Sequence, residues 1–320
     1  MKQKLFLILS FVLLLALALP TSAMAATTCT FSYSGMTMTL NGSCTTDATI
    51  LIPDGYTLDG AGYTITAVDP TGGHFVGAVL KAAPGGVSHV TNVTVTVSIL
   101  NVCDGGDQRL RGVLFEGAGG SVTNSNFVNI NQGPSGCQEG NAVEVRNEPF
   151  DGSHPNTQYV AVSGNTMTHY QKTGLVANGD VYVDAFENTI TGFGPVNYIA
   201  QNGLQSGYGA MGSIHDNVIS GNYYSGTGWT SAGILAFDIE ASDNKIFRND
   251  FGDNQRKFDQ VENSGSTSQV QDARNRLNDD EEDVTAIEDK IESNDDLLFR
   301  TEYTYNEIRK KCAKLEVQSS

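Results

Sequence analysis

Three acidic residues stand immediately before an asparagine, in Glu187-Asn188, Asp216-Asn217 and Asp243-Asn244. If these segments lie over one another at the spacing of neighbouring strands, their carboxylates are about 5 Å apart and repel by about 1 kcal/mol per pair even in water. A calcium ion would relieve such a column. Asp180 and Asp184, with Lys172 close by in the chain, form a second candidate cluster. Turn chemistry offers a plainer account of the same acids, because Asp and Asn side chains bond to nearby backbone and need no ligand there. A third group is aromatic: Tyr223, Tyr224 and Trp229 crowd into NYYSGTGWTSAG, where they could stack on sugar rings or simply cover a Gly-rich loop. The five histidines are scattered singly, and His215, just before Asp216, reads as a turn residue rather than a base.

The elements that must position these residues are set by the rest of the chain. Lys2 and Lys4, the apolar run from Leu5 to Leu19 and the small-x-small Ala23-Met24-Ala25 read as a secretory signal peptide over residues 1–25. Ala26-Thr27-Thr28 before Cys29 lacks the aliphatic residue of a lipoprotein site. Without those 25 residues the chain has 17 basic and 36 acidic residues, a net charge of −19. That excess argues against nucleic acid or an anionic membrane as partner, since both are bound through Lys and Arg. From Ser266 onward Gly and Pro vanish and 14 acidic and 8 basic residues crowd together, which marks a domain boundary.

Upstream of it the chain is rich in Gly, Thr, Asn, Ser and Val, a composition of short strands and tight turns. Five segments align without gaps: SNFVNIN, GNTMTHY, ENTITGF, DNVISGN and DNKIFRN. Each places an asparagine and, two residues later, an apolar residue, in Asn126/Val128, Asn165/Met167, Asn188/Ile190, Asn217/Ile219 and Asn244/Ile246. The last four asparagines are 23, 29 and 27 residues apart, and a Gly-aliphatic unit recurs between them at TGLVAN, NGLQSG and AGILAF. One coil of chain per repeat follows, with equivalent side chains stacked and each asparagine bonding buried backbone and the next asparagine. Period two on both sides of a bend means strands.

These repeats, together with YTLDGAGYTIT at residues 56–66, resemble the right-handed parallel β-helices of the pectin lyase-like superfamily. The resemblance covers roughly residues 27–255. It implies an all-β fold, a right-handed single-stranded parallel β-helix over residues 26–255 with a cap at 26–50, in which Leu58 and Ile65 fill an early coil. It also implies one functional class, a polysaccharide lyase or glycoside hydrolase in which clustered carboxylates hold calcium against an acidic sugar while an Arg or Lys takes a proton. The chain lacks that superfamily's N-T-D, G-D-D, G-H-G, W-I-D-H and R-x-P-x-x-R segments. The competing class, and the expectation adopted, is a secreted surface or matrix protein that binds extracellular polysaccharide without catalysis.

Four cysteines fall in this domain, and an even number in a secreted chain suggests bridges. Cys29 and Cys44 flank the proposed cap, and Cys103 and Cys137 lie in two Gly-rich loops, so sequential pairing is the simplest of three possibilities. Zinc is the alternative, although no C-x-x-C occurs. After a linker at 256–267, residues 268–318 place Val270, Leu277, Val284, Ile291, Leu298, Tyr305 and Cys312 at one heptad position. The pattern predicts a coiled-coil helix about 70 Å long that makes a homo-oligomer, with the fifth cysteine, Cys312, paired between chains. A lone helix packed on the domain is the other reading.

Overall fold

The computed structural model describes residues 27–147, 157–239 and 243–261. The expected signal peptide, the expected coiled-coil helix and Cys312 lie outside them. The described chain is all β, and its strands fall into three long sheets.

After β1 (Phe31–Ser34), the strands come in threes, one for each sheet in turn. The first coil is β2 (Thr37–Leu40), β3 (Cys44–Thr46) and β4 (Ile50–Ile52), and the second is β5 (Thr57–Asp59), β6 (Thr64–Val68) and β7 (Ala78–Ala82). The third and fourth are β8 (Val87–Thr91), β9 (Thr94–Ser98), β10 (Arg111–Glu116) and β11 (Gly119–Thr123), β12 (Asn126–Val128), β13 (Asn141–Asn147). The fifth and sixth are β14 (Gln158–Ser163), β15 (Thr166–Thr168), β16 (Thr173–Gly179) and β17 (Val181–Phe186), β18 (Thr189–Val196), β19 (Asn202–Gly207). The last two are β20 (Met211–His215), β21 (Val218–Tyr224), β22 (Ala232–Phe237) and β23 (Asn244–Phe247), β24 (Asp250–Phe251), β25 (Phe258–Val261). Sheet A thus runs from β1 and β2 to β23, sheet B from β3 to β24 and sheet C from β4 to β25. All pairings are parallel except β1 with β2. This cyclic order is the one expected of a parallel β-helix, and it continues past residue 255 to Val261.

The interior is built from ladders of like residues. Ile65, Val95, Phe127, Met167, Ile190 and Ile219 stand in register along sheet B, each fully buried. Each such side chain removed from water contributes roughly 1.5–3 kcal/mol. Leu58 of the YTLDGAG stretch is equally buried. Both expected bridges form: Cys29–Cys44, with Cα atoms 4.9 Å apart, holds the first residues to the first coil, and Cys103–Cys137 spans 5.2 Å.

The bend between sheets A and B carries the asparagines. Asn165 Nδ2 donates to Asn188 Oδ1 at 3.0 Å, Asn188 Nδ2 to Asn217 Oδ1 at 2.9 Å, and Asn217 Nδ2 to Asn249 Oδ1 at 2.9 Å. Each Oδ1 also accepts the backbone N–H of the preceding asparagine, and each Nδ2 reaches a backbone carbonyl of the coil before. The expected ladder is therefore present, with two corrections. Asn126 is exposed and pairs with Thr166, so that Ser125 takes the buried place, its N–H bonded to Asn165 Oδ1. Asn244 belongs to sheet A opposite Gly212, and Asn249 ends the ladder instead.

The residue before each ladder position turns the corner in the left-handed region. Asn92, Asn124, Glu187, Asp216 and Arg248 have φ between 48° and 55°, and Gly164 occupies the same place at 64°. This conformation is unfavourable for Glu and Arg by roughly 1–2 kcal/mol, and it holds because the next residue's hydrogen bonds fix the bend.

Asn188→Leu would leave the Asn165 N–H and the Val162 carbonyl unpaired in the middle of the stack. It is expected to cost about 2 kcal/mol or more in urea unfolding, whereas Asn126→Leu, on the outer surface, is expected to change the midpoint little.

Candidate functional site

The acids proposed as a column do not form one. Glu187 and Asp216 sit at successive corners, but the next corner is Arg248, and Asp243 lies before β23 at the other end of the strand. Arg248 grips Asp216 with Nε and Nη2 at 2.6 and 2.5 Å. That hydrogen bond is the main reason the Asp216 carboxyl is held below the usual aspartate value. A calcium site through Glu187, Asp216 and Asp243 therefore has no geometric basis: a guanidinium already supplies the charge a cation would bring.

His215 joins this corner to the outer face of sheet A. Its Nδ1 lies 2.7 Å from Asp216 Oδ2 and its Nε2 3.3 Å from Asp184 Oδ1. The ring is stacked between Phe186 and Phe247, with centroids at 5.3 and 4.7 Å. Parallel in-register strands put these three rings one coil apart, so the aromatic ladder follows from the register.

Asp180 and Lys172 are not brought together. Lys172 precedes β16 and Asp180 follows it, and a seven-residue strand at about 3.3 Å per residue holds them roughly 25 Å apart. Asp180 Oδ1 accepts from Thr157 Oγ1 at 2.6 Å as a turn residue, while Lys172 Nζ donates to the Ala200 carbonyl at 2.8 Å. Burial pushes the Lys172 ammonium down to about 8.

The aromatic candidates lie where β21 leaves sheet B. Gln255 Oε1 accepts the backbone N–H of both Tyr224 and Ser231, at 3.1 and 2.8 Å, and so closes the base of the loop between them. The Tyr224 ring packs against Gly226, where a Cβ would meet it at 2.3 Å. Tyr223 and Trp229 point away, 37% and 74% exposed. Trp229 is the one tryptophan of the chain.

The structure adds a charged network on the outer face of sheet C. Arg111, wholly buried, donates through Nε to Glu144 Oε2 at 2.7 Å and through its other nitrogens to the carbonyls of Gly106, Asp107 and Arg109. Arg146 bonds Asp107 Oδ1 at 2.5 Å and Glu116 Oε1, and Lys81 Nζ reaches Glu116 Oε2 at 2.7 Å. The loops above are held by the Cys103–Cys137 bridge and by buried Glu139, whose two oxygens accept the N–H groups of Asp104 and Leu110 at 2.7 and 2.6 Å. Those two sulfurs and the Glu139 carboxylate lie within 4.8 Å of one another, but the bridge and the backbone bonds already use them, so the zinc alternative loses its ligands. Burial alone would raise the Glu144 carboxyl, yet the charge and hydrogen bond of Arg111 outweigh it and hold the group below its ordinary value. For Arg146 burial opposes the charge, and Glu144 and Glu116 more than offset it. The sequence carries a sign of this network: Glu144 and Arg146 alternate with Val143 and Val145 in the strand NAVEVRN.

Comparison with protein-family models, curated proteins and solved structures finds no match. The superfamily resemblance therefore rests on the repeats and on the cyclic order of the three sheets.

Glu144→Gln should cost about 3 kcal/mol, because it leaves Arg111 a buried, half-paired cation. The folded-state value of Glu144 is depressed, so its contribution is present above the ordinary 4.5 and is lost as pH falls below it. Wild-type stability, read by denaturant unfolding between pH 6 and pH 3, should fall more steeply than that of the variant.

Proposed function

We propose that this chain is a secreted, right-handed parallel β-helix of the pectin lyase-like kind that binds extracellular polysaccharide without catalysis. The observation that carries this reading is Trp229, 74% exposed on a loop whose base is tied by Gln255. Tryptophan is highly buried on average, and a lone exposed ring on a fixed loop suits stacking against a sugar face. Tyr223 lies on the strand that enters the same loop. The net charge of −19 outside the signal peptide favours a neutral sugar. Asp216 is held by Arg248 and His215, which leaves it a structural role in this reading. Secretion accords with the two disulfides. Among the described residues no helix is long and apolar enough to cross a membrane.

The second reading is a lyase acting on acidic polysaccharide. Lys172 favours it, since an amine held to about 8 is suited to take a proton near neutral pH. Incubation with a panel of neutral and acidic polysaccharides, reading both retention and the absorbance of unsaturated products, separates the two. Retention without product, weakened about 10-fold or more by Trp229→Ala, is expected; product formation abolished by Lys172→Met would replace the binding reading with the lyase.

We assign the heptads of residues 268–318 to a coiled coil that makes the protein a homo-oligomer. On non-reducing gels the full chain is expected to run as a disulfide-linked dimer and Cys312→Ser as a monomer. Sedimentation of the wild type as a monomer at micromolar concentration would refute the assignment.

A further inference from the structure

The outer face of sheet B differs from the rest of the molecule. Its strands carry Thr-x-Thr at 64–66, 94–96, 166–168 and 189–191, with the middle residue buried in the core and both threonines outward. Register places Thr64 beside Thr94 and Thr66 beside Thr96, and likewise Thr166 beside Thr189 and Thr168 beside Thr191. Between these blocks Asn126 and Val128 keep the two ranks continuous, and Val218 and Ser220 extend them by one coil. In a chain that is strongly acidic, the strands of this face carry no charged residue from β3 to β21; the first is Asp250, in the last coil.

The geometry of such an array is fixed by the sheet. Neighbouring ranks repeat at about 4.8 Å along the stack, and two threonines of one strand are about 6.6 Å apart. The hydroxyls of Thr64, Thr66, Thr96, Thr166, Thr168 and Thr189 make no hydrogen bond to any protein group. Each is thus a free donor and acceptor next to a methyl group, held in a flat two-dimensional lattice by a fully buried layer beneath.

We propose that this face binds the surface of an ice crystal. Its hydroxyls order water at a repeat comparable with the oxygen spacings of hexagonal ice, its methyls lie between them with Asn126, bonded to Thr94 Oγ1, interrupting one rank, and the missing charges remove the groups that would hold water in ion-centred shells. Adsorption sums many weak contacts over roughly 24 Å of stack from the second coil to the seventh. A crystalline polysaccharide is the less suited occupant, because between β6 and β15 the face offers no aromatic ring on which a sugar could stack. This surface meets the Trp229 loop only at β21, so Thr168→Tyr and Trp229→Ala test the two apart.

The test measures the gap between the melting and freezing points of solutions of the full chain, and the shape of ice crystals grown in them. Wild type is expected to give a gap and faceted crystals. Thr168→Tyr, which puts a ring in the middle of the lattice, should reduce the gap at least 5-fold at equal concentration with an unchanged Tm. Thr123→Tyr, on the outer face of sheet A, should leave the gap unchanged. If Thr168→Tyr alters the Tm, Thr166→Lys supplies the same comparison. Absence of a gap and of crystal shaping in the wild type would overturn the proposal, as would equal losses in the sheet B and sheet A variants. Retention on crystalline polysaccharide that Thr168→Tyr removes, without any effect on ice, would overturn it in favour of the sugar.

Discussion

A chain that coils on itself must turn inward at every corner, and each turn takes backbone N–H and C=O groups out of water and out of the sheets. An unpaired buried group costs about 1–3 kcal/mol, and a stack of corners repeats that cost once per coil. The ladder from Ser125 through Asn165, Asn188 and Asn217 to Asn249 answers it, because each amide serves the backbone of its own corner, of the coil before and of the neighbouring asparagine. The left-handed φ of Glu187, Asp216 and Arg248 depends on this ladder. A second polar set serves the corner between sheets B and C, where Asn222 bonds Asn254 and Gln171 and Gln201 reach the backbone of neighbouring coils.

Once the corners are fixed, the three sheets present three different outer faces. That of sheet C is covered by disulfide-tied loops and holds Arg111 and Arg146 against Glu144 and Glu116 largely out of solvent, with Lys81 and the exposed Asp107 at its edge. Removal of Arg111 or Glu144 there leaves a buried charge, so the pair holds the loops in one arrangement. The face of sheet A is open and mixes stacked rings with Asp184, Asp216 and Arg248. Sheet B is open and uncharged over most of its length. One core thus supports three surfaces of different chemistry, each set by every second residue of its strands.

The sequence by itself determined the period-two strands, the asparagine-bearing corners at Asn165, Asn188 and Asn217 and the inward placement of Leu58 and Ile65, and it made sequential cysteine pairing the simplest of three, which the structure then selected. The strands and corners follow from local rules: which residues bend the chain and which alternate. The register between distant coils was decided only in three dimensions. Gapless alignment picked Asn126 and Asn244, yet coils differ in length, and the surplus residues leave as loops, so a motif one residue late or five residues early looks equivalent in one dimension. Hydrogen bonding then selects Ser125 and Asn249, because those residues lie under their neighbours. For the same reason Asp243 fell out of the expected acid column and Arg248 entered it, Lys172 and Asp180 proved to lie at opposite ends of β16, and Arg111, Glu144 and Arg146, which belong to two different coils, met beneath loops that no local pattern connects.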